Sequence, residues 1–579
     1  MNPNGPEKGM EKRLLLAFAL MMVVLMGAQY FFKPAPAPKA VQPVAPTKTE
    51  QAAKTEEAAK TTPAPPPASK PTPVKPIPGA EHPVQAASES TAIIDTDLYH
   101  VVLTNKGGVV KSWLLKRFHD ISGKNQLNLV HDFGDAVPLP FAIGTKDHKL
   151  PFDPNKVLYS MKQSPDGLGV TFEYSDGKTS ILKTFTFHKD SYLSNVRSEV
   201  LENDTPVPHV LMWRGGFGDQ EVRNASSQQR TVHYDAASSK LITKSAKDAK
   251  NGAFSDTGDF TFGGIEDNFF AAVALPSSSS LEVRTYSDDL KPPKEEKAEQ
   301  FVGAGFASGA QNDLTLFVGP KDTDLLRQIN PKLEKLVDWG FFGVIAKPLF
   351  LFVNWVNDHW TFNYGWAIIV VTMIINLVLF PLKISQLKSS KRMQALQPRL
   401  KAINEKYKSI GLRDPRKAQQ NQEVMALYKE AGVNPLGGCL PLIIQLPFLY
   451  AFYRVLEIAI EMRGAHWLWV TDLSQPETLA IHLLPLILIA SQFYAQRLTP
   501  ATGMDPNQQK MMMFMPLLYG FMFYYASAGL VLYWLTSNVA MIAQQLIINR
   551  MMPHPTPAGN VPAVTAPASK SPVKKTVKK

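Results

Sequence analysis

The chain has 579 residues, and its 61 Lys+Arg against 50 Asp+Glu leave a formal charge of +11, too little for a general nucleic-acid binder, so no DNA partner is expected. Hydrophobic residues make up 45% and charged ones 19%, averages that exclude full disorder and conceal a segregation of polar and apolar stretches along the sequence. The single cysteine, Cys439, excludes a disulfide framework and a thiolate zinc site.

Leu14 to Phe32 is a charge-free apolar run long enough to cross a bilayer, preceded by Lys8, Lys12 and Arg13. The basic flank places the N-terminus in the cytoplasm. An anchor is preferred to a cleaved signal peptide, because the run exceeds the usual apolar region and ends in Gly27-Ala28-Gln29-Tyr30 without an A-x-A site. Residues 1–33 therefore form a cytoplasmic start and a first span. Residues 34–90, with 14 prolines between Pro34 and Pro83, read as an extended tether without a core.

Across residues 91–325 the pattern turns to period two. Val170, Phe172 and Tyr174 alternate, Ser175-Asp176-Gly177-Lys178 turns, and Ile181, Lys183, Phe185 and Phe187 follow, which is a hairpin. Val101 to Leu103, Asn105 to Gly108 and Val109 to Leu114 repeat the signal, and Asn312 to Val318 gives a late strand. One large antiparallel β domain, a sandwich, is predicted.

Residues 331–360 hold an amphipathic helix, with Leu349, Phe352, Val353 and Val356 on one stripe and Asn354 and Asn357 opposite. It suits the headgroup plane, or else packs on the β domain. A core at 361–550 follows, with spans expected at 364–382, 436–460, 479–498, 511–526 and 530–548. With the first span, the crossings put the β domain in the periplasm and both termini in the cytoplasm.

Twelve basic and four acidic residues between Lys383 and Asn434 mark a cytoplasmic loop. Leu396, Leu400, Ile403 and Tyr407 form one stripe there, and Val424, Leu427, Tyr428 and Ala431 a second. Gly411 stops the first helix, Asp414 caps the second and Pro415 starts it, which predicts an antiparallel helical hairpin over 384–434. Its basic residues Lys391, Arg392, Arg399, Lys401, Arg416 and Lys417 are either a solvated positive face or a contact for anionic lipid or ribosomal RNA. Residues 551–579 form a basic, Pro-rich cytoplasmic tail.

The 12 histidines show no metal-ligand spacing, no enzyme signature occurs, and neither cofactor nor metal is expected. Gly215-Gly216-Phe217-Gly218 lacks the spacing of a phosphate loop and reads as a β-loop.

Asn434-Pro-Leu-Gly-Gly-Cys439, Asp505-Pro-Asn-Gln-Gln-Lys-Met-Met-Met-Phe-Met-Pro516 and Gly529-Leu-Val-Leu-Tyr-Trp-Leu-Thr-Ser-Asn538, each at a span and in this order, resemble the YidC family of bacterial membrane protein insertases. The resemblance covers about residues 331–550 and extends, without sharp motifs, to the long form of double-membrane bacteria. It implies a β-supersandwich for the periplasmic domain, a first anchor, and a core of five transmembrane helices with a groove open to lipid and cytoplasm. It also implies an ATP-independent insertase and chaperone of the inner membrane. Its partners would be nascent membrane proteins, the Sec translocon, membrane lipids, and the ribosome through the hairpin and the basic tail. The core is expected to act as a monomer. The competing readings are a solute transporter and an envelope carbohydrate-binding or enzymatic protein acting through the β domain.

The candidate groove residues are Thr372, Asn376, Gln445, Arg454, Gln492, Tyr533, Trp534 and Asn538, with Thr536, Gln544 and Gln545 beside them. Polar groups in hydrocarbon must face protein, water or one another, so these either line a hydrated notch or make ordinary interhelical hydrogen bonds. Met393 and Met425 in the hairpin, with Met504 and Met511 to Met513 near the fourth-to-fifth span connection, offer a soft apolar entrance, or else Met511 to Met515 simply begin a span. The family carries an Arg one turn after the Thr that aligns with Thr372, where this chain has Asn376. Arg454 either supplies that charge from another helix or pairs with Glu457, the pairing being preferred.

Overall fold

The computed structural model describes residues 83–551 except 122, 146–147, 221, 223–224, 278–279, 293–296, 382, 385–391, 393–394, 408–413, 415, 433–439 and 499–505. The run at 14–32, most of the tether, the basic tail and the motif from Asn434 to Cys439 lie outside the described residues. The chain forms two compact units, one from residues up to Asp338 with Ile458–Gly464, the other from Trp339–Glu457 and from Ala465 onward.

All strand pairings of the first unit are antiparallel, in three sheets. β1 (Thr91–Asp95), β2 (Tyr99–Thr104), β3 (Val109–His119) and β4 (Gln126–Asn128) form the first, in chain order. The second holds β5 (Ala142–Thr145), β11 (His209–Trp213), β14 (Phe254–Gly258), β17 (Leu281–Leu290) and β18 (Glu299–Ala307), ordered β14-β17-β18-β11-β5. The third holds β6 (Ser160–Gln163), β7 (Gly169–Ser175), β8 (Thr179–Phe187), β9 (Leu193–Glu202), β10 (Thr205–Pro206), β12 (Arg230–Asp235), β13 (Lys240–Lys244), β15 (Phe260–Glu266), β16 (Phe270–Pro276) and β19 (Asn312–Pro320). Its order is β13-β12-β15-β16-β19-β9-β8-β7-β6, with β10 on β9.

The hairpin signal at Val170 to Phe187 becomes β7 and β8, paired from Gly169 opposite Thr186 to Ser175 opposite Ser180. Gly177 takes the left-handed position of its turn, with φ of +89°. Alternation sends Val170, Phe172, Ile181 and Phe185 inward, where rings from all three sheets meet. Trp113 lies 5.7 Å from Phe187 and 6.5 Å from Trp213, and Phe141 lies 5.8 Å from Trp213. Each such buried ring contributes about 1.5–3 kcal/mol relative to exposure.

The charged groups that enter this unit's interior have several partners each, although Trp113 Nε1, Thr179 Oγ1 and Ser194 Oγ are buried with no hydrogen-bond partner among the described residues. Lys183 donates from Nζ to the carbonyls of Gly107, Gly108 and Phe141 at 2.8, 3.1 and 2.9 Å. Burial pushes its amine down to about 7, while three acceptors favour the charged form. Glu266 receives Arg230 at 2.6 Å and Lys321 at 3.3 Å. Segment Ile458–Gly464 joins this unit through Arg463, which pairs with Asp219, donates to the His119 carbonyl at 3.0 Å and stacks over Phe269 and Phe270.

The first unit ends with α1 (Thr323–Ile329), capped by Asp322 at the amides of Asp324 and Leu325. The second unit is helical. In α2 (Gly343–Val356) the buried face is Ala346, Leu349, Phe350, Val353 and Val356, so Phe350 takes the place expected for Phe352. Phe341 and Val344 near its start are almost fully exposed. The chain turns through 114° into α3 (Tyr364–Val378), whose N-cap Asn363 accepts from the amides of Gly365 and Trp366.

Then follow α4 (Gln397–Lys406), α5 (Arg416–Glu430), α6 (Leu440–Ile458), α7 (Leu483–Leu498), α8 (Pro506–Phe523) and α9 (Ala528–Met551). Several expected spans shift, for physical reasons. α7 begins at Leu483 rather than 479 because Glu477 accepts from the Leu484 amide at 2.9 Å and from the Trp469 indole. α8 begins earlier, at Pro506, a residue preset for the first helical position. Among the described residues, α9 alone is by itself long and apolar enough to cross a membrane, and α2 with α3 passes as a bent pair. Close packing uses small residues: Gly365 lies against Trp467 and Gly520 against Ile489, where a Cβ would collide.

Candidate functional site: polar residues gathered on α9

The apolar helices of the second unit carry polar side chains at set positions, and three groups of them meet on α9. The first joins α3 to α9. Asn376 donates from Nδ2 to the Thr372 carbonyl at 2.8 Å, a bond to the preceding turn, and its own carbonyl accepts from Gln544 Nε2 at 3.0 Å. Its Oδ1 accepts from Lys383 Nζ at 2.7 Å. Thr372 is fully buried, and its Oγ1 has no partner among the described residues, nor has Gln544 Oε1.

The second group joins α7 to α9, where Asn538 Nδ2 donates to Gln492 Oε1 at 2.7 Å and to Ser491 Oγ at 3.1 Å. The third joins α6 to α9, where Gln445 Nε2 lies 3.4 Å from the Tyr533 hydroxyl and the Tyr533 ring stacks on Phe452 at 4.1 Å. Trp534 packs against Tyr519 and Phe523, with centroids at 5.4 and 4.6 Å. Thr536 bonds back to the Leu532 carbonyl at 2.8 Å, and Gln545 donates to Asn549 at 3.1 Å, so both are occupied within their own helix.

Arg454 stands apart from these groups and pairs with Glu457 at 2.6 Å. The cation beside Asn376 is Lys383, which by sequence alone belongs to the positive charge of the cytoplasmic loop. Ser491, next to Gln492, was also missed. The helical periodicity of Thr372, Asn376 and Lys383 carries the signal that could have found the lysine.

In α4 and α5, Leu400, Leu427 and Tyr428 bury one another, with Leu396, Ile403, Val424 and Ala431 packed around them. Tyr407 and Lys406 both hold Glu423, at 2.9 and 2.7 Å. Arg399 pairs with Glu430 and Arg416 with Asp414, whose carboxyl the guanidinium holds down at about 2. Arg392 and Lys401 are exposed, with no carboxylate partner among the described residues. Lys417 falls within α5, and Lys391 lies outside the described residues. Met425 and Met513 are exposed.

The β unit has a cavity of about 310 Å³ lined by His209, Thr257, Ser280 and Glu282 among others, and Glu282 lies 3.8 Å from Arg284. Among the described residues no three His, Cys, Asp or Glu side chains gather as a metal site.

Residues 91–352 match the family model described as the YidC periplasmic domain, and residues 355–555 that of the 60Kd inner membrane protein. A protein of Geotalea daltonii named membrane protein insertase YidC is 31% identical over 573 residues, covering 94% of this chain and 100% of that protein. One of the same name from Syntrophus aciditrophicus is 33% identical over 577 residues, covering 93% and 100%. A crystal structure of an active YidC insertase with its first transmembrane domain resolved aligns at 20% identity and a TM-score of 0.34, covering 80% of this chain and 94% of that one. With one family model on its β unit, another on its helical unit and relatives matched end to end, the chain belongs to the YidC family.

Proposed function

We propose that the chain is a membrane protein insertase, which carries the short polar parts of nascent inner-membrane proteins past the hydrocarbon and then releases their apolar segments into it. The observation that carries this reading is that Asn376, Gln445 and Gln492, from three helices, meet Gln544, Tyr533 and Asn538 of one apolar helix, α9. An unpaired polar group in hydrocarbon costs several kcal/mol, so a polar notch lowers the barrier for a polar tail by a comparable amount. The hydrophobic effect then drives the apolar segment into lipid. No covalent bond is made or broken, and no nucleotide is needed.

The finer assignments belong to the same proposal. α3 and α6 to α9 span the membrane, the run at 14–32 adds a sixth crossing, the β unit is periplasmic, and both termini are cytoplasmic. α4 and α5 form the cytoplasmic hairpin that receives nascent chains, with Arg392 and Lys401 available to ribosomal RNA or anionic lipid. The Sec translocon is a partner for larger substrates. End-to-end likeness to proteins named insertase favours this over a transporter or a carbohydrate-active protein.

A photo-crosslinker at Thr372 or Trp534, with a short single-span protein translated on stalled ribosomes, tests it. Crosslinks that depend on nascent-chain length are expected. Their absence from a folded chain overturns the proposal.

A further inference from the structure

The helical unit holds two large apolar residues in a backbone conformation that L side chains rarely adopt. Phe362 has φ of +51° and Leu468 of +48°, and both are exposed, at 78% and 62%. Each stands at the tip of a turn. The Phe362 amide closes the turn before α3 on the Asn357 carbonyl at 2.8 Å, and Trp467 and Val470 exchange backbone bonds of 2.9 and 2.8 Å around Leu468 and Trp469. A bulky left-handed residue is strained, and burial of the side chain offsets none of that strain here.

The two turns make one surface. Asn363 donates to the His466 carbonyl at 2.8 Å, and the Trp467 ring meets the Trp366 ring edge-on at 5.6 Å. Gly365 gives Trp467 its place, since a Cβ there would collide with the ring. Trp469 packs on Trp467 from 5.9 Å. Trp467 is thus buried in contact with two indoles that are themselves exposed. Indole joins an apolar body to an N–H and belongs at the boundary between lipid and water, and exposed Phe and Leu tips belong among acyl chains.

Two polar groups narrow the choice of headgroup. Trp467 is 7% exposed, and its Nε1 has no acceptor among the described residues. Glu477 is buried and accepts from the Trp469 indole N–H and from the Leu484 amide at 2.9 Å, and no cation pairs with it among the described residues. The start of α7 accounts for one carboxylate oxygen. The other draws on the Trp469 N–H, which enriches the ring in electrons and makes its face a better partner for a cation. Aromatic faces, an unused N–H donor and a carboxylate without a counter-ion together match a headgroup that carries both ammonium and phosphate. They do not match a headgroup with phosphate alone.

We infer that Trp366, Trp467 and Trp469, with Glu477 on the Trp469 N–H, form a binding site for the headgroup of an ammonium-bearing phospholipid such as phosphatidylethanolamine. This rests on the membrane-spanning reading of α3 and α7 in the proposed function. The ammonium lies on the exposed indole faces, and a phosphate or ester oxygen takes the Trp467 N–H. Phe362 and Leu468 contact the acyl chains, and that contact offsets the strain of their backbones.

The test places the full chain in nanodiscs of equal phosphatidylethanolamine and phosphatidylglycerol, and counts the lipids retained after detergent extraction by native mass spectrometry. Phosphatidylethanolamine should be enriched about fivefold over phosphatidylglycerol, and phosphatidylcholine in its place likewise. Trp366→Leu with Trp469→Leu should abolish the enrichment, and the matching pair of Phe changes should keep part of it. Glu477→Gln should lower it while keeping an acceptor for α7. Without any variant, brominated phosphatidylethanolamine should quench the indole fluorescence more than brominated phosphatidylglycerol in the same mixture. Equal retention of both lipids overturns the proposal and reduces the surface to an apolar anchor. So does an enrichment that the double Leu change leaves intact, or one that soluble phosphoethanolamine removes, which would assign the site to a free metabolite. A chain that stays in solution without detergent and carries no lipid is a different result, and it overturns the membrane-spanning reading itself.

Discussion

In the β unit Lys183 places its amine among three backbone carbonyls, whereas in the helical unit Lys383 has a single amide oxygen. Glu266 sits between two cations and Arg463 between a carboxylate, a carbonyl and two rings; among the described residues neutral polar atoms are left without a partner in both units, Trp113 Nε1 and Ser194 Oγ in the first and Thr372 Oγ1 and Gln544 Oε1 in the second, so the units differ in how their buried cations are held. Burial makes a polar group expensive in either setting. A closed set of partners converts that expense into a fixed geometry. An open set leaves room for a ligand that comes and goes. The buried cations of the first unit thus belong to a scaffold, and under the proposed function the polar residues around α9 in the second serve transient polar contact.

The sharpest way to break that division is deletion. Removing residues about 95–320, with the first span and α2 retained, should leave insertion within about twofold, because the hydrogen bonds described for the polar groups on α9 run to α3, α6 and α7. Removing 387–432 should reduce it by more than about tenfold, since the paired helices of the hairpin, α4 and α5, are lost with it. Insertion kinetics of a single-span substrate decide, and near-complete loss on deleting the β region would end the division of labour.

A point change in the scaffold comes next. Lys183→Met strands the carbonyls of Gly107, Gly108 and Phe141 in an apolar core, and should destabilise the β unit by about 3–5 kcal/mol. Chemical denaturation followed by tryptophan fluorescence measures it. A cost below about 1 kcal/mol would mean that water replaces the amine.

What the sequence discloses follows from the range of the interactions. Period-two alternation at Val170 to Phe187 and the facing stripes of Leu400 and Leu427 are local, and both can be read from residue order. So can Thr372 and Asn376 on one helical face. The partners of Lys183 lie 76, 75 and 42 residues away and are backbone atoms, which carry no residue signature. Arg463 reaches Asp219 across 244 residues. Lys383 was hidden differently: it sits where positive loop charge is expected, and only the bond to Asn376 distinguishes it from that charge.

A smaller effect sharpens the scaffold side through pH. Asp267 is buried at the β15–β16 turn, where burial pushes its carboxyl up to about 6 despite bonds from the Phe269 and Phe270 amides and the nearby charges of Lys321 and Arg463. Between the ordinary value of 3.8 and about 6 the folded state then holds a proton that the unfolded state has lost. Stability from this group is therefore full below about pH 4 and falls as pH rises through 6, by at most about 3 kcal/mol. His209, pushed down to about 4 by burial, works in the opposite direction over much of the same window. The informative quantity is the difference between the unaltered chain and Asp267→Asn, which should narrow from pH 4 to pH 7. A difference independent of pH would show that Asp267 is ionised throughout.

The smallest expected effect tests the helical side. Arg454 is a buried cation that has its carboxylate already, Glu457 at 2.6 Å one helical turn away. Removing the arginine alone would strand that carboxylate and confuse a structural defect with a lost binding charge. Arg454→Ala belongs in a Glu457→Gln background for this reason. In that pair of changes the ratio of acidic-tail to neutral-tail insertion, for single-span substrates that differ only by Asp→Asn in the translocated tail, should stay within about twofold of the unaltered chain. A cation with a full-time partner offers little to a passing one. A drop of about tenfold, the worth of one charge-assisted hydrogen bond, would mean that the ion pair opens during insertion. Arg454 would then be a substrate contact, and an existing carboxylate partner would no longer mark a cation as structural in this unit.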